Sequence, residues 1–302
     1  MKPLRCIALI CVVLSFLLIP PPSSAQQTIS NGTVTVGIGP NGELFDNTSY
    51  IGIKRLSDGY DPLAPGTPRD SWGLSANGSS VWADQAYYGA NGVISISNIG
   101  PSSAVVTTTG ANGMNLTQAY SFAAANILKI SETLTNTSTG PEVVLFQRDV
   151  DWDVSPTEFN ENSFAGQVSG NVIDSSYYGF ESPNPTTAYG SSCAAGCNQT
   201  GDLGGGIKLD LGTLLANESE TVTFLYGINQ VGETANELDA QLKSLGAYYY
   251  VTTQSSENGA YPSLGANSAA IAVSATPEPS SLLLLATGLL GMFVAFGRKL
   301  MA

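Results

Sequence analysis

Short alternating segments, each closed by a turn signal, constrain the fold of this chain more than any other feature. In TISNGTVTVGIG, the apolar residues Val34, Val36 and Ile38 alternate with polar or small ones before PNG breaks the pattern. The same pattern recurs in VISISNIG, SAVVTTTG, ILKISETLTNTS, PEVVLFQRDVDWDV, GIKLDLGTL, ETVTFLYGI and AYYYVTTQ, and more weakly in AAIAVSA. With 33 glycines and many β-branched residues, this spacing predicts an all-β fold, an antiparallel β-sandwich.

A single helix is predicted, in ETANELDAQLKSLGA. Thr234 and Glu237 have the spacing of a capping box, three leucines follow at helical spacing, and Gly246 supplies a stop. We therefore expect a short amphipathic helix near 234–245, packed on the edge of the sheet.

The N-terminus has the pattern of a secretory signal peptide. Lys2 and Arg5 precede the apolar run 6–19, and a breaker-rich tail ends in Ser-Ser-Ala at Ala25. Small residues at this point suit signal peptidase, so we expect cleavage after Ala25 and removal of residues 1–25. This predicts an exported protein.

The C-terminus has three parts in order: Pro277-Glu278-Pro279, an apolar run from Leu282 to Phe296, and the basic pair Arg298-Lys299. As a helix, the apolar run reaches only about 22 Å, short of the ~30 Å hydrocarbon core of a bilayer. One interpretation is a plain transmembrane anchor, which the basic pair would hold with the C-terminus in the cytoplasm.

The order of these three parts resembles the PEP-CTERM sorting signal of Gram-negative bacteria. The resemblance implies that an exosortase recognises and removes residues 277–302, usually in strains that make exopolysaccharide. It also implies a transient anchor in the inner membrane, followed by delivery to the cell envelope, the outer surface or the extracellular matrix.

Between these ends lies a β-sandwich ectodomain, residues 26–276, built as one large or two small β domains. Trimming removes four basic residues and one acid, which changes the net charge from −13 to about −16. Such a surface repels nucleic acid and attracts cations, so nucleic acid is excluded as a partner.

Two of the four cysteines, Cys193 and Cys197, lie in the ectodomain, in SSCAAGCNQTGD. An even pair in an exported chain predicts a disulfide. A bridge across three residues closes a small loop, so its effect is to pin the chain locally. A metal or redox role would favour Cys-x-x-Cys at the start of a helix, which these surroundings do not supply.

The chain has no histidine, which excludes Ser-His-Asp and Cys-His catalysis and an ordinary catalytic zinc. The glycine-rich stretch 201–206 lacks the Lys-Ser/Thr of a P-loop, and we interpret it as a turn. Carboxylate chemistry remains, and it concentrates in FQRDVDWDVSPTEFNE, residues 146–161.

Three aspartates alternate in that stretch: Asp149, Asp151 and Asp153. On an extended strand they share one face, about 6.7 Å apart along the strand, with Val150, Trp152 and Val154 on the other. This separation fits the carboxyl pair of an inverting glycosidase, but any alternating strand gives it. A structural face, a cation site and a catalytic pair therefore all stay open.

Calcium is the metal that suits an oxygen-only cluster. DVDWDVSPTEFN has the 1-3-5 ligands of an EF-hand loop, but Val154 replaces the required glycine and Asn160 the bidentate glutamate. A calcium site would therefore need the turn 155–157 to bring Glu158 or Glu161 back towards the strand. The candidate ligands are Asp149, Asp151, Asp153 and Glu158.

A second resemblance concerns the segment from NLTQAYSF to SPTEFNE. It is similar to a group of PEP-CTERM proteins in which a strand ending in "tltN" is followed by an arginine and a D-W-D-v-x-P-T turn. The stretch from GDLGGG to GAYYYVTT also resembles that group. The group implies a β-rich exported protein related to supersandwich folds, and it implies no established reaction.

Aromatic residues are the other functional signal. Trp72, Trp82 and Trp152, with tyrosines at 87–88, 177–178 and 248–250, are able to stack on sugar rings or to fill a core. We expect a non-catalytic structural or adhesive protein without a cofactor, in contact with exopolysaccharide. The alternative is a carbohydrate-binding module or a glycan-acting enzyme that uses carboxylates in 149–161.

Overall fold

The computed structural model describes residues 27–109, 113–256 and 266–274, which form 17 strands and one helix. The elements in chain order are β1 Thr28–Ser30, β2 Val34–Gly37, β3 Ile53–Arg55, β4 Asp70–Ala76, β5 Ser79–Asp84, β6 Ile94–Ile99, β7 Ala104–Thr109, β8 Met114–Ala124, β9 Ile127–Asn136, β10 Glu142–Asp151, β11 Glu161–Gln167, β12 Val172–Ser176, β13 Ala195–Gly201, β14 Gly204–Leu214, β15 Ser219–Ile228, α1 Ala235–Ser244, β16 Ala247–Ser255 and β17 Ser268–Ser274.

The strands form three antiparallel sheets, which confirms the predicted all-β sandwich. The large sheet has nine strands in the order β13-β11-β16-β17-β15-β9-β8-β7-β6, and the second has five in the order β12-β14-β10-β4-β5. Strands β1, β2 and β3 form a small third sheet. The strand with the weakest sequence pattern, β17, lies inside the large sheet between β16 and β15, and all seven of its residues are buried.

Strand β10 shows how alternation builds the core between the two large sheets. Its inward side chains, which include Val144, Phe146 and Val150, are fully buried. The Phe146 ring meets Phe224 of β15 edge to face, with centroids 6.0 Å apart. Apolar burial along this interface is the main source of stability in a fold of this class.

The predicted helix is confirmed, with Thr234 as its N-cap and the reciprocal Thr234–Glu237 capping box present. Its placement was predicted wrongly. Leu238 and Leu242 pack on the outer face of β15, β17 and β16, in the interior of the large sheet, and not on the sheet edge. Gly227 makes room, since a Cβ there would lie 2.8 Å from the Leu238 side chain.

The predicted signal peptide 1–25 and the apolar run 282–296 lie outside the described residues. Within the described ranges, no helix has the length and apolar character needed to span a membrane.

A buried ion cluster joins the two large sheets. Arg148 of β10 binds Asp70 of neighbouring β4 at 2.5 Å, and across the interface it binds Glu132 of β9 at 2.6 Å. Its Nε also donates to the Tyr226 hydroxyl of β15 at 3.0 Å. All four side chains are buried, and burial raises the pKa of Glu132 to about 7 against the opposing effect of Arg148.

Arg148→Met should destabilise the protein by about 3–5 kcal/mol, because it leaves Asp70 and Glu132 buried without their cation. Lys129→Met, on the outer face of β9, is the matched control and should change the free energy of unfolding by less than about 0.5 kcal/mol. Denaturant titration measures both. Equal losses in the two variants would contradict a special role for Arg148.

Candidate carboxylate and aromatic site

The site forms where β10 leaves the five-stranded sheet. Alternation turns Trp152 into the core and Asp151 to the outer face, as the sequence predicted. At the end of the strand the backbone is held in place, because carbonyl oxygens of three separate segments accept hydrogen bonds from its amides. The Asp151 amide donates to Arg69 O at 2.9 Å, the Trp152 amide to Leu203 O at 3.3 Å, and the Asp153 amide to Pro62 O at 2.7 Å.

Asp149 belongs to a different environment. It is fully buried beside Tyr189, and its Oδ2 accepts from Gln147 Nε2 at 2.7 Å. Burial raises its pKa to about 7, and the charge of Arg69 opposes that shift. Asp149 therefore has different neighbours from the other two aspartates, and its surroundings suit a packed structural carboxyl.

Asp151 and Asp153 lie in a group of carboxyls that we call the carboxylate cluster: Asp151, Asp153, Glu161 and Asp202. Burial, together with Asp153 and Asp202, raises the pKa of Asp151 to about 9. Burial, together with Asp202 and Glu158, raises that of Asp153 to about 7. Asp153 is 1% exposed, and neither of its carboxyl oxygens has a hydrogen-bond partner among the described residues.

Glu161, the first residue of β11, binds the backbone around the cluster at three points. Its Oε1 accepts from the amides of Val154 and Phe159, at 3.2 and 2.7 Å, and its Oε2 accepts from Leu203 at 3.3 Å. Burial raises its pKa to about 8 even so. The turn after β10 thus brings Glu161 back towards the strand, and its carboxyl already has three donors.

Glycines let the surrounding backbone close on the cluster. We predicted a turn over 201–206, but β14 already begins at Gly204, so that prediction was wrong for its second half. The reason is close packing: a Cβ on Gly204 would lie 2.2 Å from Val150 O. A Cβ on Gly179 would lie 2.6 Å from Asp151 Oδ1, so the loop after β12 rests directly on that carboxyl.

Next to the cluster lies a group of rings that we call the aromatic patch: Tyr87, Tyr88, Tyr178 and Phe180. Tyr87 is 69% exposed, and its ring centroid lies 5.2 Å from Tyr88 and 6.0 Å from Phe180. The Tyr178 and Phe180 centroids are 5.8 Å apart. These rings, from the loops after β5 and β12, form a partly exposed aromatic surface beside the buried carboxyls.

Arg69 connects the patch to the sheet below it. Its guanidinium lies 5.7 Å from the Tyr88 centroid and 5.4 Å from that of Phe180, while its Nη2 binds Asp84 at 2.6 Å. Partial burial, together with Asp151 and Asp202, raises the pKa of the Tyr178 phenol. Patch and cluster lie side by side, because Gly179, next to Tyr178, packs against Asp151.

The sequence found only part of this arrangement. Tyr87, Tyr88 and Tyr178 stood in the predicted tyrosine runs, but nothing singled out Phe180 or Arg69. Trp72 and Trp152, also candidates for sugar stacking, are buried in the core instead. Gly179, between two aromatic residues, is the sequence feature that could have indicated the site, because a glycine there allows close approach to Asp151.

Cys193 and Cys197 form a disulfide at the start of β13. The Cys193 amide donates to Ser175 O at 2.6 Å, which joins this small loop to the end of β12. The disulfide thus holds the C-terminal end of the loop that carries Tyr178 and Phe180.

The calcium ligands named from the sequence stay a prediction. Within residues 27–109, 113–256 and 266–274, no group of three or more Asp, Glu or Cys side chains is arranged to hold a metal ion. Of the four predicted ligands, Asp153 acts on Asp151, and Glu158 acts on Asp153 from the following turn. Asp149 is instead bound by Gln147 beside Tyr189.

The raised pKa values predict a characteristic pH dependence in metal-free buffer. Carboxyls with a higher pKa in the folded state bind protons more tightly there than in the unfolded chain. Their contribution is therefore full near pH 4 and is lost as the pH rises through about 7 to 9. Each group changes the free energy of unfolding by up to about 1.4 kcal/mol per pH unit.

Asp151→Asn should therefore flatten the decline of stability between pH 6 and pH 9, as measured by denaturant titration across that range. Asp210→Asn, at an exposed position of β14, should leave the decline unchanged. Parallel curves for the wild type and Asp151→Asn would show that Asp151 does not titrate as described.

Comparison with known proteins identifies one segment of the chain. Residues 275–299 match the PEP-CTERM protein-sorting motif, which supports the resemblance found at the C-terminus. The motif implies export and processing by an exosortase. It does not reach the D-W-D-v-x-P-T segment. No protein with a curated description matches the sequence significantly.

Two solved structures are similar in outline. One is a putative aldose 1-epimerase from Escherichia coli K12, with 12% identity and a TM-score of 0.36, covering 84% of this chain and 89% of that one. The other is a galactose mutarotase-like protein from Lactobacillus casei, with 13% identity, a TM-score of 0.35 and the same coverage. Similarity at this level carries no information about activity.

Proposed function

We propose that this chain is a non-catalytic, adhesive protein of the envelope or extracellular matrix of an exopolysaccharide-producing Gram-negative bacterium. In this proposal the aromatic patch and Asp151 bind a glycan. The sorting motif at 275–299 supports export and exosortase processing. The observation that supports glycan binding is the group of exposed rings on a loop whose Gly179 packs directly against Asp151.

The aromatic patch and the Asp151 carboxyl are chemically complementary to sugars. Aromatic faces pack against the apolar C–H faces of a sugar ring, and carboxyl oxygens accept hydrogen bonds from its hydroxyl groups. Tyr87 and Tyr178 offer exposed rings, and Asp151 lies beneath the loop that holds Tyr178. Because the chain carries a net charge of −13, a neutral glycan suits this surface better than an acidic one.

Tyr178→Ala and Tyr87→Ala should each weaken binding to a purified neutral exopolysaccharide by about threefold to tenfold, since one aromatic contact contributes about 0.5–1.5 kcal/mol. Calorimetry or affinity electrophoresis measures the change. Tyr248→Ala is the matched control, because Tyr248 is 37% exposed but lies on β16, outside the aromatic patch. Equal affinity in all three variants would overturn the proposal for this surface.

A glycan-acting enzyme is the second candidate, and the raised pKa of Asp151, about 9, favours it. A carboxyl that keeps its proton at neutral pH is suited to act as a general acid. In that case purified protein should release reducing ends from a glycan, and Asp151→Asn should abolish the release. Binding without any release leaves the adhesive role as the better account.

A further inference from the structure

We infer that the carboxylate cluster is a divalent-cation site, in which Asp151, Asp153 and Asp202 bind calcium. The inference shares Asp151 with the proposed glycan site, but it does not depend on glycan binding by the aromatic patch. It replaces Asp149, which is bound by Gln147 beside Tyr189, by Asp202, which the sequence pattern did not indicate.

The first argument is the lack of donors at Asp153. This carboxyl is 1% exposed, yet its two oxygens have no hydrogen-bond partner among the described residues. A buried carboxylate without donors is costly, and proteins ordinarily supply them. The neighbouring Glu161 shows the contrast, because three backbone amides donate to it. Both carboxyl oxygens of Asp153 are therefore available to bind a ligand.

The second argument is charge. The charged groups that act on Asp151 are Asp153, Asp202 and Glu161, with Arg69 as the basic residue. Arg69 already binds Asp84 through Nε and Nη2, at 2.8 and 2.6 Å. Asp153 has Asp202 and Glu158 near it and no basic residue among the groups that shift its pKa. Arg69 is the one basic residue among the groups that shift these two pKa values, so acids outnumber bases around Asp151 and Asp153.

The third argument concerns which cation fits. The cluster offers carboxyl oxygens, and the chain has no histidine, so hard, oxygen-binding cations are favoured over zinc or copper. The carboxyls do not yet converge on one point, since the described residues contain no ready three-acid metal group. Calcium accepts six to eight oxygens in flexible geometry, whereas magnesium demands a near-ideal octahedron.

Asp202 is the ligand that has room to move. It is exposed in the short turn between β13 and β14, next to Gly201, whereas Asp151 and Asp153 are fixed by backbone hydrogen bonds. Binding would draw Asp202 onto the two buried carboxyls and close the cluster from the solvent side. Water and backbone oxygens would complete the coordination.

The test measures calcium binding by the metal-free protein in the absence of glycan. Calorimetry and terbium luminescence excited through tryptophan are the two methods. The wild type should bind one calcium with a rise in melting temperature, and Asp153→Asn should weaken binding at least tenfold. Asp202→Asn should do the same, and because Asp202 is exposed this variant should fold normally. Asp210→Asn, an exposed acid outside the cluster, should bind as the wild type does.

Two results would overturn the inference: no binding at millimolar calcium, or equal affinity in the wild type and Asp202→Asn. Glycan affinity measured with and without a chelator separates the two proposals. Loss of the calcium site with unchanged glycan binding would remove only this inference, and loss of glycan binding with a measured calcium site would remove only the adhesive proposal.

Discussion

The ion cluster around Arg148 is the contact on which the rest of the sandwich depends. One guanidinium satisfies acids from β4 and β9 and the hydroxyl of Tyr226 from β15, so it fixes the two large sheets relative to each other. A buried group of this kind tolerates only one register, because a shift of one residue along β10 would turn Arg148 outward and bring Asp149 into the core. The apolar core supplies stability, and Arg148 specifies the alignment.

The same strand places the candidate site. With Arg148 fixed inward, the alternation of β10 turns Asp151 outward, and the amides of Asp151 and Asp153 bind segments that precede β4. The buried acids are thus held by rigid backbone on one side. On the other side Asp151 is covered by the loop after β12, whose Gly179 permits a contact that a side chain would prevent. Backbone hydrogen bonds and close loop packing thus hold Asp151 and Asp153 in place.

Much of the fold was predictable because it rests on local patterns. Alternation indicated the strands, the Thr234–Glu237 spacing indicated the helix, and a single pair of cysteines between residues 26 and 276 left one pairing. The arrangement of the site was less accessible, since it depends on contacts between residues far apart in sequence. Asp149 and Asp151 share a strand face, yet Tyr189 and Gly179 give them different surroundings. Nothing in the local sequence of Phe180 indicates that it meets Tyr87.

Strand β17 sets the order in which the large sheet is completed. It lies between β15 and β16, so until Ser268–Ser274 is in place both of those strands keep an unpaired edge at the centre of the sheet. These residues end immediately before the sorting motif that begins at residue 275. The sheet therefore closes with the last residues before the motif, and a processing cut upstream of Ser274 would take away a central strand together with the sorting segment.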